Sequence, residues 1–515
     1  MQEFIIGIDT GGTFTDAALV STQTREVIAT SKKPTTHYNL AKGISETLHN
    51  LLKTSGVSPE KIERVAVSST LATNSVVENR GARVAVITIG YVRHFKLPVR
   101  AVIFVKGGHT IQGKEEQPLD LDYLVQIISG LKNEVDAYGI CSAMSMKNPT
   151  HELVAEKAIT MIDPKPVFCS HRISQQAGIE ERAATAALHA KLMPIMQDFI
   201  HGVEESMEKN KLSCPLLVIG GNATPLETEK VITEAGLTVA SGPACTAYFG
   251  GTHSDTENCL VLDVGGTTTD IAMIRDGRPL FTEDGCHIGD WKTRVEAVNM
   301  RTGGIGGDSL VHLDKRNTLS IGPTRVTPLA TCGDIPPLSQ WFEQDTGSRL
   351  IVLQPQAGEL EENELTTLLK RRGMVTPGII RQETGLGGIP LENRLEQLSR
   401  KQQIVEYGFT PTDALHVLGR ADFGNAGRAL EAATLLGKVL GLDAESFSQR
   451  IVNEVEEKIE TLVLDYIVNL HWGNTLTSFL SRRNDHPVLG VTFSLRLPLV
   501  GIGVGARYFL NGVAR

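Results

Sequence analysis

The sequence contains no C-x-x-C pair. Its seven cysteines, Cys141, Cys169, Cys214, Cys245, Cys259, Cys286 and Cys332, are odd in number and scattered. That pattern excludes a disulfide framework and a cysteine zinc site, and it suits reduced thiols in a cytoplasmic protein. No apolar run approaches the roughly 18 residues that suggest a membrane span. At the start, FIIGI is too short for a signal peptide and follows no basic stretch. Positive charge is not in excess either: 50 Lys and Arg stand against 59 Asp and Glu, interspersed, for a net charge of −9. A nucleic-acid partner held mainly through its phosphates is thereby excluded. The 14 histidines form no H-E-x-x-H or similarly tight ligand set, so His171 reads as solvated or hydrogen-bonded.

At 515 residues, with 41% hydrophobic and 21% charged side chains, the chain has the make-up of a soluble protein of two to three domains. Two octets organise it. DTGGTFTD runs from Asp9 to Asp16, and DVGGTTTD from Asp263 to Asp270. Each lies between two apolar, β-branched runs, FIIGI and AALV, then CLVL and IAMI, which predicts a β-hairpin opening a sheet. Two similar hairpins predict two similar domains. Strands RVAVSS, RVAVITIG and VDAYGICSA alternate with helical stretches at 39–56 and after Asn148, which makes the class α/β. A long helix, kinked at Pro194, is predicted over 181–210. The resulting division is a first domain over 1–190, a helical connector over 191–212 and a second domain over 213–515, with a helical insertion at about 355–465.

Adjacent glycines let backbone approach a ligand closely, and successive N–H groups joined by threonine hydroxyls form an anion-binding nest. Charge-assisted bonds of this kind contribute on the order of 1.5 to 3 kcal/mol each, enough for several to hold a triphosphate without a lysine. The leading acids Asp9 and Asp263 would repel bare phosphate. Their presence calls for a cation, and hydrated magnesium held by carboxylates and phosphate oxygens meets that need. One octet by itself is also what an ordinary hairpin turn looks like; two in matching strand contexts are not.

The octets resemble the two phosphate motifs of the actin, sugar-kinase and heat-shock-chaperone ATPase superfamily, whose two RNase H-like domains hold ATP in a cleft between them. More narrowly, GIDTGGTFTDAAL, SSTLATNSVVENRGARVAVITIG, NPTHE, ASGPA, VLDVGGTTTDIAMI and PLVGIG resemble, in that order, the hydantoinase A and 5-oxoprolinase family. The resemblance implies ATP-dependent opening of a cyclic amide such as a hydantoin, 5-oxoproline or another lactam, through phosphorylation of the carbonyl oxygen. It implies ATP and magnesium as cofactors, and a second, B-type subunit or a homo-oligomer as partner.

Carried onto this sequence, Gly11, Gly12, Thr13 and Thr15 bind phosphates from one side, and Gly265, Gly266, Thr267 and Thr268 from the other. Asp9 and Asp263 position magnesium and water, partly through water, as the catalytic acids. Asp16 and Asp270 either share that work or anchor the hairpins. Gly303, Gly304, Gly306 and Gly307 resemble the loop near the nucleotide sugar, and Gly501 and Gly503 the loop at the adenosine; both are also what glycine turns look like. Thr70, Thr73 and Asn74 either face the substrate or cap a helix.

GDSL at 307–310 with Asp413 and His416 mimics an esterase pattern, but here the serine lies inside a glycine run, where it reads as a helix-start residue. GIGVGA (501–506) imitates a dinucleotide fingerprint, yet too little chain follows for a βαβ unit. Two other functions remain open alongside amide opening. One is an ATP-driven regulator of a partner protein; the other is a kinase or carboxylase component with a different acceptor.

Overall fold

FIIGIDT and FTDAALVS flank a glycine turn and pair antiparallel as β1 (Phe4–Thr10) and β2 (Phe14–Ser21). Ile6, Ile8, Ala17 and Leu19 face the core, which places Asp9 in the opposite phase of its strand. The computed structural model describes the chain except for residues 1–2, 12–13, 36–39, 78–79, 91–92, 174–176, 283–284, 289–290, 315, 343–348, 356–359, 473–492 and 514–515. It divides into two compact units, Met1–Phe249 with Pro279–Asn299, and Gly250–Arg278 with Met300–Arg515.

In the first unit β3 (Val27–Pro34) pairs with β2, and after α1 (Leu40–Ser55) the strand β4 (Ile62–Ser69) lies parallel to β1. Then α2 (Leu71–Val77) leads to a second sheet of β5 (Val84–Ile89), β6 (Ala101–Val105), β7 (Ala137–Ser142) and β8 (Val167–Cys169), all parallel, in the order β6-β5-β7-β8. Every residue of β5 and β7 is buried, as expected of a parallel sheet covered on both faces. Its crossovers include α3 (Leu121–Leu131) and α4 (Thr150–Ile162). The start of α4 is set by Asn148, whose Oδ1 accepts from Thr150 N at 3.1 Å.

The helix α5 (Ile179–Lys209) lies in the core of this unit and does not act as a connector. The run AATAALHA makes that possible. A Cβ at Gly139 of β7 would stand 3.0 Å from the backbone N of Ala187, so helix and strand touch through glycine and alanine. The helix also continues through Pro194, and in the preceding turn Lys191 O accepts from Ala82 N at 3.1 Å. Residues 213–249, expected in the second domain, fall in the first unit. The reason is strand pairing: β9 (Leu216–Ile219) runs parallel to β4 and carries β10 (Pro225–Glu227) at the sheet edge. The six-stranded order is β10-β9-β4-β1-β2-β3. A short helix, α6 (Thr228–Thr233), precedes α7 (Ser241–Thr252).

The second unit repeats the hairpin. β11 (Cys259–Val264) and β12 (Thr269–Arg275) pair antiparallel, the strand Leu499–Ile502 lies parallel to β11, and Met300–Gly303 lies antiparallel to β12. The helix Ala444–Trp472 supports it, the Tyr466 hydroxyl accepting from Met273 N at 3.0 Å. Between these elements lies a four-stranded sheet, ordered Thr327–Pro328, Ile404–Gly408, Arg349–Leu353, Met374–Val375; two of its strands, Met374–Val375 and Ile404–Gly408, fall among the helices of the stretch 355–465 that was expected to be helical throughout.

Candidate functional site

The two octets fold alike. In the first, Gly11 N donates to Phe14 O at 3.0 Å and Asp9 stands opposite Asp16. In the second, Gly265 N donates to Thr268 O at 2.9 Å and Asp263 stands opposite Asp270. Each leading acid thus closes a strand directly before a turn bridged by the same bond. Gly12 and Thr13 lie outside the described residues. In the second turn, the N–H groups of Gly266 and Thr267 have no backbone partner among the described residues and are left for other acceptors.

Asp9 accepts the Ser68 hydroxyl on Oδ1 at 2.6 Å. Parallel pairing puts Ser68 beside Asp9, a contact that no motif in the sequence announces. Crowding by protein raises the Asp9 pKa, and the Ser68 bond opposes that rise. Behind Ser68, Ser241 at the start of α7 clasps Ser69, accepting from its N at 3.2 Å and donating to its O at 3.0 Å. Cys245, one turn on, has its thiol pushed up to about 11 by burial, with the charge of Asp9 adding to the shift.

The trailing acids tie strands together. Lys32 Nζ donates to both oxygens of Asp16 at 2.9 Å, and Thr302 Oγ1 donates to Asp270 Oδ1 at 2.5 Å. Each acid and its partner are cross-strand neighbours; the Lys32–Asp16 pair, 56% and 47% exposed, contributes little to folding, whereas the Thr302 bond links Asp270 to the next antiparallel strand. Burial raises the Asp270 pKa, against the Thr302 bond.

Thr15 requires correction. It is fully buried, with its hydroxyl 3.2 Å from that of Thr35, which itself donates to Gly11 O at 2.9 Å. Thr15 therefore supports the turn from inside and does not face a ligand. Thr269 does the same in the second octet, donating to Ile305 O at 2.8 Å. Thr70, Thr73 and Asn74 lie at the start of α2 and make bonds there. Thr70 N donates to Thr10 O at 3.1 Å, Ala240 N to Thr73 Oγ1 at 3.0 Å, and Asn74 Nδ2 to Thr70 Oγ1 at 3.1 Å.

The glycine run 303–307 lies against the second octet itself. Gly307 N donates to Gly265 O at 3.1 Å and Asp308 N to Gly266 O at 2.6 Å. A Cβ at Gly306 would stand 2.6 Å from Gly265 O and from the Gly266 carbonyl, so this close backbone approach requires glycine. Gly303 is needed for packing, since its Cβ would meet Leu462 at 2.4 Å, and Gly304 sits against Pro323. Ser309, the serine of GDSL, begins a strand (Ser309–Leu313) and not the expected helix; it is buried and accepts from Gly306 N at 2.9 Å, a bond that holds the loop. At the other end Gly503, at φ +84°, would put a Cβ 2.6 Å from Asp263 Oδ1, and Gly501 would meet Leu510 at 2.6 Å. Asp308, unremarked in the sequence, hangs its carboxylate over Gly266, where a Cβ would stand 2.3 Å from Oδ2. Burial raises its pKa, and Arg325 lowers it in part.

Among the described residues, Glu152, Cys169 and His171 bring possible metal-ligand atoms within 4.8 Å of one another. The Glu152 carboxylate is already saturated. It accepts Ser142 N at 2.8 Å, Ser170 Oγ at 2.6 Å, His171 N at 2.9 Å and His171 Nδ1 at 2.6 Å, with Arg182 Nη2 at 3.5 Å. Burial alone would raise the Glu152 pKa, but these donors outweigh it and lower it. This is an internal ion network joining β7, β8, α4 and α5. It explains why NPTHE carries an acid.

The second octet turn fits a phosphate group: the N–H donors of Gly266 and Thr267, without a backbone partner among the described residues, line its tip. Asp9 in the first unit and Asp263 in the second each offer carboxylate oxygens, a donor type that suits a hard cation such as magnesium. A paired hairpin, a parallel third strand and a glycine turn, present in each unit, give the chain a duplicated α/β fold of the actin-like kind. Residues 5–162 match the hydantoinase/oxoprolinase N-terminal region and residues 182–471 match hydantoinase/oxoprolinase, so the chain belongs to that family. Caprolactamase subunit alpha of Pseudomonas jessenii is 26% identical over 361 residues, 62% of this chain and 50% of that protein. The acetophenone carboxylase gamma subunit of Aromatoleum aromaticum is 26% identical over 363 residues, 62% and 49%. The crystal structure of the ATP-dependent caprolactamase from P. jessenii shares the fold with a TM-score of 0.67 at 20% identity, over 99% of this chain and 67% of that one. The chain spans about half the length of the curated relatives it matches. Among the described residues no helix is long and apolar enough to cross a membrane.

Proposed function

We propose that the chain is the ATP-using subunit of an enzyme that opens a cyclic amide, working with a second, B-type subunit. The observation that carries this reading is the twin octet, with the same bridged turn, the same pair of opposed acids and the same parallel third strand in each unit. Family membership and the lactam-directed relative support it. The second octet offers Gly266, Thr267 and Thr268 to phosphate oxygens and the first offers Gly12 and Thr13, while the N–H groups of Gly265 and Gly11, already taken by Thr268 O and Phe14 O, close the turns and are not phosphate donors. Asp9, steadied by Ser68, and Asp263, beside Gly503, hold magnesium, partly through its water.

Bound ATP supplies a phosphoryl group for the amide carbonyl oxygen: the bond from phosphorus to ADP breaks and one to that oxygen forms. An amide resists water because its nitrogen feeds electrons to the carbonyl. Turning the oxygen into part of a leaving phosphate removes that resistance, and each 1.4 kcal/mol taken off the barrier gives about a tenfold gain in rate. The protein's share is to hold both partners still and to place charge where it develops.

The equal similarity to a carboxylase subunit supports a second reading, in which the same phosphate-binding loops serve a different acceptor. ATP turnover across hydantoins, 5-oxoproline and larger lactams, with and without a B-type subunit, separates the two. Ring opening stoichiometric with ADP release supports amide opening. ADP release that needs bicarbonate and an acceptor ketone would replace it with the carboxylase reading.

A further inference from the structure

We propose that Arg325 is a phosphate-binding cation of the second octet, and that Asp308 is its positioning residue. The inference rests on the reading that this octet binds nucleotide phosphates.

The second octet turn carries an oddity. Two backbone bonds, Gly307 N to Gly265 O and Asp308 N to Gly266 O, fix Asp308 onto the octet turn, and its carboxylate lies over Gly266. An acid in that place by itself opposes an anionic ligand. Arg325 resolves the oddity, with Nη2 3.4 Å from Asp308 Oδ2. Its place is built in. Arg325 ends the strand Leu319–Arg325, stands opposite Ser309 in the antiparallel pair, and is followed by Val326, whose N donates to Asp308 O at 3.0 Å.

The pair also has the wrong character for a structural bond. The Arg325 side chain is 46% exposed and that of Asp308 23%, and ion pairs this open contribute little to folding. A guanidinium held at the rim of a glycine turn can instead turn its planar fork to two phosphate oxygens, which lysine cannot match. Asp308 keeps the guanidinium ordered and close to the turn, which reduces the entropy lost when phosphate arrives. The octets themselves contain no Lys or Arg, so a charged partner has to come from elsewhere in the chain.

The test is calorimetric titration of the full chain with MgATP, MgADP and AMP, for wild type, Arg325→Ala, Arg325→Lys and Asp308→Asn. Arg325→Ala should bind MgATP at least about tenfold more weakly while AMP affinity changes little. Arg325→Lys, which keeps the charge and loses the fork, should fall in between, and Asp308→Asn should lose a smaller factor. Wild-type MgATP affinity in Arg325→Ala, or in Arg325→Lys should the alanine variant not fold, overturns the inference and leaves the proposed function standing. Absence of nucleotide binding by the wild type overturns both.

Discussion

Gly266 shows how far a single residue constrains the second turn. Its φ lies outside the left-handed region, so backbone strain does not demand glycine there. What a side chain there would meet is the Asp308 carboxylate, with Oδ2 2.3 Å from where a Cβ would stand. That group is the end of a short side chain 23% exposed to solvent, so it can swing aside. Gly266→Ala should therefore cost less than the about 1–3 kcal/mol usual for overpacking, and should displace Asp308 from the turn. Asp308→Gly in the same chain should remove what cost there is, because the contact needs both side chains. Denaturant unfolding of the two single variants and the double variant checks this, and a loss above about 3 kcal/mol in Gly266→Ala would show that the Asp308 carboxylate is held fast. Asp9, Asp263 and the paired glycines were legible in the sequence because each octet is contiguous. Ser68, Asp308 and Arg325 were not, since strand register and loop return bring them to the octets from distant positions. Thr15 was misjudged for a related reason: alternation along β2 turns its side chain inward, toward Thr35.

At the scale of elements, the start of the helix Pro411–Val417 carries a charge problem of its own. Thr410 and Asp413 form a capping box, with Thr410 N donating to Asp413 Oδ2 at 2.9 Å, and the same carboxylate takes Leu329 N at 3.1 Å and Ala330 N at 2.7 Å. Burial pushes the Asp413 pKa up to about 7, with these donors pulling against it. A carboxyl whose folded pKa lies above its unfolded value is favoured folded in its protonated form. Its contribution to stability is full below the ordinary value of 3.8 and is lost as pH rises through about 7. Wild-type stability should thus fall more between pH 5 and pH 8 than that of Asp413→Asn, as read by denaturant unfolding at both pH values. Parallel slopes would show that Asp413 is ionised throughout. Periodicity and capping made the helices and the two octet hairpins readable in advance. Met374–Val375 was not, because two residues carry no period, and Ile404–Gly408 was not, because IVEYG follows directly on the helical run NRLEQLSRKQQ, so the stretch 355–465 read as purely helical.

Across the whole chain, the duplicated hairpin was the most legible feature and the division into units the least. Hairpins repeat a local pattern, whereas β9 joins the first unit through a partner, β4, about 150 residues earlier in the sequence. That unequal legibility bears on function, because each unit owns one octet and its own leading acid. A ligand that binds only the folded state stabilises by about 2.7 kcal/mol at one hundred times its dissociation constant. If both octets serve one nucleotide, MgATP should raise the thermal transition of every part of the chain that unfolds separately. Asp9→Asn and Asp263→Asn should each remove most of that rise and reduce Mg-dependent turnover severely. Differential scanning calorimetry with and without MgATP reads both units in one experiment. A rise lost in Asp263→Asn but kept in full by Asp9→Asn would assign the nucleotide to the second octet alone. The first would then be left to hold whatever receives the phosphate, since Ser68, the Ser241 clasp and Cys245 already gather around Asp9.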